Sequence, residues 1–191
     1  MKKICHLLTI GALVIATTAC QTTNSDTAAA LGYKQGDVVQ SLVNLHPDSK
    51  GNRLYALNYQ LPNVIPVCSE FTIDAVSTKS IKVTNNGIQY NYLWDKHTRK
   101  AGQSLADNFM LFFGDICDSN GMDKLSKIDK EGIEKGTALV GMSKKGVLFA
   151  MGQPPIHANP TTEANTWLYW RNRFGKRAVD FSSEGIVIKV R

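Results

Sequence analysis

The chain has 191 residues, 43% hydrophobic and 20% charged, with 22 Lys and Arg against 16 Asp and Glu for a net +6. That size and apolar content suffice for one compact domain or two small ones. The basic excess is mild and spread along the chain, which fits contact with an anionic surface or an acidic protein face and points away from nucleic acid.

The first twenty residues read MKKICHLLTIGALVIATTAC. Lys2 and Lys3 form a short positive region, Leu7 to Ala16 an apolar run, and Thr17-Thr18-Ala19 lead into Cys20. This is the layout of a secretory signal, too short and wrongly flanked for a spanning helix. A small residue directly before a cysteine resembles the lipobox of bacterial lipoproteins. The resemblance implies a signal peptide over 1–19 and acylation of Cys20, so that the membrane is reached through a lipid anchor. The other reading is export with a free Cys20 thiol. Gln21 stands where an Asp retains many enterobacterial lipoproteins at the inner membrane, so the same resemblance implies the outer membrane, periplasmic face. Two or three acyl chains hold a protein at a membrane, each buried CH₂ contributing about 0.8 kcal/mol. Residues 20–31, with their run of small polar side chains, are expected to be the lipidated cysteine and a flexible tether.

After cleavage 20 basic and 16 acidic side chains remain, a net +4, because Lys2 and Lys3 leave with the leader. Cys5 leaves too, so with Cys20 acylated the remaining pair is Cys68 and Cys117. In an oxidising compartment an even remainder points to a disulfide. It would close a loop of about fifty residues, add roughly 3–4 kcal/mol on the chain-entropy model, and link the two lobes described next. Buried free thiols or a redox pair are the alternatives, although a redox pair sits as C-x-x-C.

Residues 32–114 are expected to form a small β-rich lobe ending in a helix. LYALNYQL, VCSEFTIDAV, SIKVTN and GIQYNYLW alternate polar with β-branched and aromatic residues. Asn86-Gly87 between two such runs is a hairpin signal, because both residues tolerate positive φ. Four short strands with tight turns fit a small sheet or an SH3-like barrel. Ser104 is placed to cap a helix over Leu105 to Phe113 that ends at Gly114.

Residues 115–131 are expected to be a charged connector. Residues 132–191 are expected to form a second lobe. Ser143 caps a helix over Lys144 to Met151, Gly152 stops it, and Pro154-Pro155 prevent its continuation. Strands follow over Thr166–Arg171, Arg177–Phe181 and Ile186–Val190. The whole is an α+β protein.

The sequence carries no motif for catalytic or metal chemistry. Around Asp118, Asn120 and Gly121 an EF-hand loop would need acidic ligands where Ile116 and Lys127 stand. His46, His97 and His157 lack metal spacing, and there is no G-x-S-x-G, S-x-x-K or P-loop. No metal, cofactor or catalytic residue is therefore expected, and the reading is of a non-enzyme.

The segment Trp167 to Phe174 is the most distinctive chemistry of the body. On a strand, Trp167, Tyr169 and Arg171 share one face while Leu168 and Trp170 share the other. One face must be core. In one reading Trp167, Tyr169, Arg171 and Arg173 form a partner-binding surface, since Trp, Tyr and Arg dominate interface hot spots. In the other, Trp167 and Tyr169 are core and Arg171 is a solvated rim.

From Gly132 onward, Ile133-x-x-Gly136, Gly141-Met142-Ser143 with its helix to Gly152-x-Pro154, Trp167-x-Tyr169, and Val179-x-Phe181 with Gly185 resemble the SmpA/OmlA (BamE-like) lipoprotein family. The resemblance implies two short helices packed on a three-stranded antiparallel sheet. It also implies an accessory or scaffolding role toward an envelope protein partner in outer-membrane assembly or maintenance. The β-rich lobe has no counterpart there; a binding module for peptidoglycan, lipid or a small ligand is the alternative function.

Overall fold

The computed structural model describes residues 22–191. The signal segment and Cys20 lie outside the described residues. Helix α1 (Thr22–Leu31) occupies the stretch expected to be a tether. Its Ala28 to Ala30 run consists of the strongest helix former, and Leu31 at its end is buried in the first core.

Strands β1 (Val38–Ser41) and β2 (Arg53–Tyr55) follow. β2 is far shorter than the expected LYALNYQL strand, because the chain turns at Asn58, whose φ is 55°. β3 (Glu70–Val76), β4 (Ser80–Asn85) and β5 (Ile88–Leu93) form a meander. The Asn86-Gly87 turn joins β4 to β5 with φ of 49° and 77° and pairs Asn85 with Ile88. Helices α2 (Lys96–Lys100) and α3 (Leu105–Phe109) come next. Ser104 caps α3 as expected, but the helix stops four residues early, since Phe113 belongs to β6 (Phe113–Gly114) and pairs with Ser41. These strands make one six-stranded sheet in the order β2-β5-β4-β3-β1-β6, with β2 and β5 parallel and the other pairs antiparallel. Phe71, Ile73, Ile81, Val83, Tyr92, Phe109 and Phe113 fill its core.

The disulfide between Cys68 and Cys117 is present, with Cα atoms 5.4 Å apart. It does not link two lobes. Cys68 precedes β3 and Cys117 follows β6, so the bond closes one margin of the six-stranded sheet. Both backbones are tied to the end of β1: Cys68 N–H donates to Ser41 O at 2.8 Å and Cys117 N–H to Gln40 Oε1 at 2.9 Å.

The expected connector is helical. α4 (Ser119–Asp123) and α5 (Lys127–Lys135) occupy most of it. The local cause is a capping box, Ser126 and Asp129, which satisfies backbone donors at the start of α5. Helix α6 (Lys144–Met151) begins at Ser143 and ends at Gly152, as expected. Asp129, 3% exposed, spans both helix starts, accepting from Ser126 Oγ at 2.7 Å and Ser143 N–H at 2.7 Å. Gly146 lies against that carboxylate, where a Cβ would collide.

Strands β7 (Thr166–Trp170), β8 (Lys176–Phe181) and β9 (Val187–Val190) form an antiparallel sheet in chain order. Trp167, Tyr169, Val179, Phe181 and Val187 on one face pack with Val147, Ala150 and Met151 of α6, and Ile128 and Ile133 of α5 close the layer. The outer edge of β7 is covered. Gln60 N–H donates to Trp170 O at 2.8 Å, and the Asn159 side chain forms a reciprocal pair with the Leu168 backbone at 2.7 and 2.8 Å. Among the described residues no helix is long and apolar enough to cross a membrane.

Candidate functional site

The two sheets meet along a seam built on the C-terminal end of α6. A helix end leaves carbonyls without intrahelical donors, and here side chains of the other lobe, with Tyr169 of β7, supply them. Asn44 Nδ2 donates to Ile133 O at 2.6 Å and Ala150 O at 3.3 Å, while its Oδ1 accepts from Val67 N–H at 2.9 Å. Asn58 Nδ2 donates to Met151 O at 2.7 Å and Gln153 O at 2.9 Å, and Gln60 Nε2 to Met151 O at 3.0 Å. Tyr169 Oη donates to Gly152 O at 2.9 Å, and burial pushes its phenol well above the usual range. Gly152 has a φ of 71°, and a Cβ there would run into Phe112 and Asn58 across the seam.

His46, 5% exposed, stands in the same seam with Nδ1 3.1 Å from Leu61 O and Nε2 3.3 Å from Ala150 O. Burial is the main cause that lowers its pKa; its two carbonyl neighbours oppose the shift and the Arg177 charge adds to it. A neutral imidazole can donate through only one of those nitrogens.

Beside His46 a cleft of about 520 Å³ opens between the lobes. Leu61, Pro62 and Val64 form one wall, and Lys135, Thr137, Arg171 and Arg177 the other. No carboxylate lines it. Arg177 is half-buried and donates to Thr137 Oγ1 at 2.7 Å. Desolvation lowers its pKa, and the next cause is the like charge of Arg171. Lys135 pairs with Glu131 on the exposed side of α5 at 2.7 Å, whereas neither Arg171 nor Arg177 has an ion-pair partner among the described residues. A second hollow, about 290 Å³, adjoins the first at Leu61 and Asn172. Tyr55 and Tyr59 line it, 5.2 Å apart edge to face, together with Asp48 and Arg173.

Between the two hollows projects the turn joining β7 to β8. Asn172 Oδ1 accepts from Phe174 N–H at 2.8 Å and Gly175 N–H at 2.9 Å, which fixes the turn. Phe174 is 81% exposed, and the Arg173 guanidinium lies 4.4 Å from its ring centroid.

The strand face expected to hold the contact surface is inverted. Trp167 and Tyr169 are 1% and 0% exposed and belong to the second core, because α6 covers that face. Leu168 and Trp170 take the other face, where Trp170 stacks on His157 at 5.9 Å and Lys176 lies 4.7 Å from its ring. Arg171 and Arg173 are exposed on the turn beyond the strand end. Phe174, Arg177 and Lys135 were not singled out from sequence. The positive-to-aromatic run Arg171 to Phe174 held the signal for Phe174, while Arg177 and Lys135 join the cleft only through the fold. Asp118 caps α4 and pairs with Lys145 at 3.1 Å, and among the described residues no three His, Cys, Asp or Glu side chains gather as a metal site.

Compared with known proteins, the chain matches no family model, no curated protein and no solved structure.

Proposed function

We propose that this chain is a non-enzymatic accessory or scaffold lipoprotein of the cell envelope. Acylated Cys20 holds it to the periplasmic face of the outer membrane, and it contacts an envelope protein during outer-membrane protein assembly or maintenance. Two helices on a three-stranded antiparallel sheet, with the Gly141-Met142-Ser143 helix start and Gly152-x-Pro154 stop, support placing the second lobe with the SmpA/OmlA (BamE-like) family. α5 starts at Lys127, so that lobe begins ahead of residue 132.

One observation supports partner contact above the rest. The β7–β8 turn holds Phe174 81% exposed, while Arg171 and Asn172 of the same turn line the first hollow and Asn172 and Arg173 the second. Exposed aromatic and Arg side chains held on a rigid turn are what interface hot spots are made of. Contact therefore moves from the strand face to the turn, with Arg171 and Arg173 kept and Trp167 and Tyr169 as its buried support.

A photoreactive phenylalanine analogue at position 174 tests this in intact cells. The expected result is a crosslink to one identified envelope protein, lost when the analogue is moved to Lys82 on β4. Equal crosslinking from both positions, or none from 174, rejects the reading. The anchor has its own test. Fatty-acid labelling is expected to mark the wild-type chain and to vanish in Cys20→Ser, and undiminished labelling of that variant refutes acylation at Cys20.

A further inference from the structure

The proposed partner contact says nothing of what the partner presents, and the adjoining groove does. We infer that the groove between the lobes takes an extended acidic peptide segment of the partner, with carboxylates against Arg171 and Arg177 and an apolar side chain in the Tyr55–Tyr59 hollow. The inference rests on the partner-contact reading and names the chemistry of its ligand.

Charge complementarity is the first argument. Two guanidinium groups face one cleft of about 520 Å³ without a carboxylate in its lining. Arg177 keeps one N–H on Thr137 and has further donors to offer, in the planar fork that matches a carboxylate. Like charges brought together at a partly desolvated site repel, and an incoming anion offsets that repulsion by attracting both.

Shape is the second argument. The basic cleft continues over Leu61 and Asn172 into a hollow of about 290 Å³ walled by two tyrosines. That space suits one large side chain. Asp48 and Arg173 share its lining, and those polar groups suit peptide backbone rather than a continuing acyl chain. Asp48 also gives the groove a polarity, because it repels acidic residues at that end and leaves them to the Arg171 end.

The test is fluorescence anisotropy on the full chain in neutral detergent, with a labelled octapeptide of alternating Glu and Leu. The comparison peptide has Gln for every Glu. The Glu peptide is expected to bind at least about tenfold tighter than the Gln peptide. Arg171→Glu, at an exposed position that leaves the core untouched, is expected to remove about tenfold or more of that affinity, and Arg177→Gln a similar share. Lys82→Glu on β4 is expected to change nothing. Equal binding of the two peptides, an unchanged Arg171→Glu variant, or no saturation up to about 1 mM overturns the inference. Displacement of the peptide by equimolar inorganic phosphate overturns it in favour of a small-anion site. Arginine-dependent binding to anionic phospholipid vesicles with no peptide binding overturns it in favour of a lipid surface. A crosslink at position 174 without peptide selectivity leaves the partner contact standing and removes only the acidic segment. Peptide selectivity without a crosslinked partner does the opposite.

Discussion

Replacing Cys68 and Cys117 by serine is expected to lower the unfolding free energy by roughly 3–4 kcal/mol, measured by urea titration under oxidising conditions. The bond spans 49 residues of sequence, so the unfolded chain gains the freedom of a long loop when it is lost. For a chain of this length the melting temperature should fall by about 10 °C. The loss should be felt first at one margin of the sheet. β6 is two residues long, and its hold on β1 is reinforced by the tie of Cys117 N–H to Gln40. Hydrogen exchange at Phe113 to Cys117 is therefore expected to accelerate before exchange in β4. Cys68 has a φ of 64°, a conformation a glycine adopts freely. Cys68→Gly should accordingly be less destabilised than Cys68→Ser, by up to about 1 kcal/mol. A serine pair that unfolds at the wild-type urea midpoint would show that the bond contributes nothing to stability.

Asn44→Ala is expected to cost about 3 kcal/mol although it removes only one small side chain. Asn44 is 1% exposed and makes three hydrogen bonds, to Ile133 O, Ala150 O and Val67 N–H. Each buried bond contributes about 1 kcal/mol, and leaving Val67 N–H unpaired adds a desolvation cost. Ile133 O keeps another donor, Gly136 N–H at 3.1 Å, which is why the loss is not larger. Asn44→Asp separates packing from bonding. It preserves volume and the acceptor toward Val67 but sets a carboxylate oxygen against two carbonyls, so it should be worse than alanine. Because these bonds cross from one sheet system to the other, the urea transition should broaden or split as the lobes lose their shared cooperativity. An Asn44→Asp protein as stable as wild type would refute this account of the seam.

Local chemistry was legible wherever neighbours in sequence decide the conformation. The Asn86-Gly87 turn, the Ser104 and Ser143 caps, the Gly152 stop and the last three strands all follow from short-range rules. The pairing of Cys68 with Cys117 followed from counting cysteines, but not the place it closes. α5 was written in the sequence too, as Ser126-x-x-Asp129, and was obscured by the charge of its surroundings. β1 and β6 are four and two residues long and owe their existence to strands distant in sequence. The period of two identified both faces of β7 but not which one α6 would cover. The seam was illegible for the same reason. Asn44 and His46 reach Ala150 across 106 and 104 residues, and no spacing rule connects polar residues over such intervals.

Asn159 occupies the place that a foreign strand would take. Its amide imitates a peptide unit, giving and receiving one hydrogen bond at Leu168, so the outer margin of β7 has no open slot there for backbone zippering. Together with the Gln60 backbone at Trp170, this amide makes the β7 margin a poor template for a foreign strand, while the turn beyond it stays exposed.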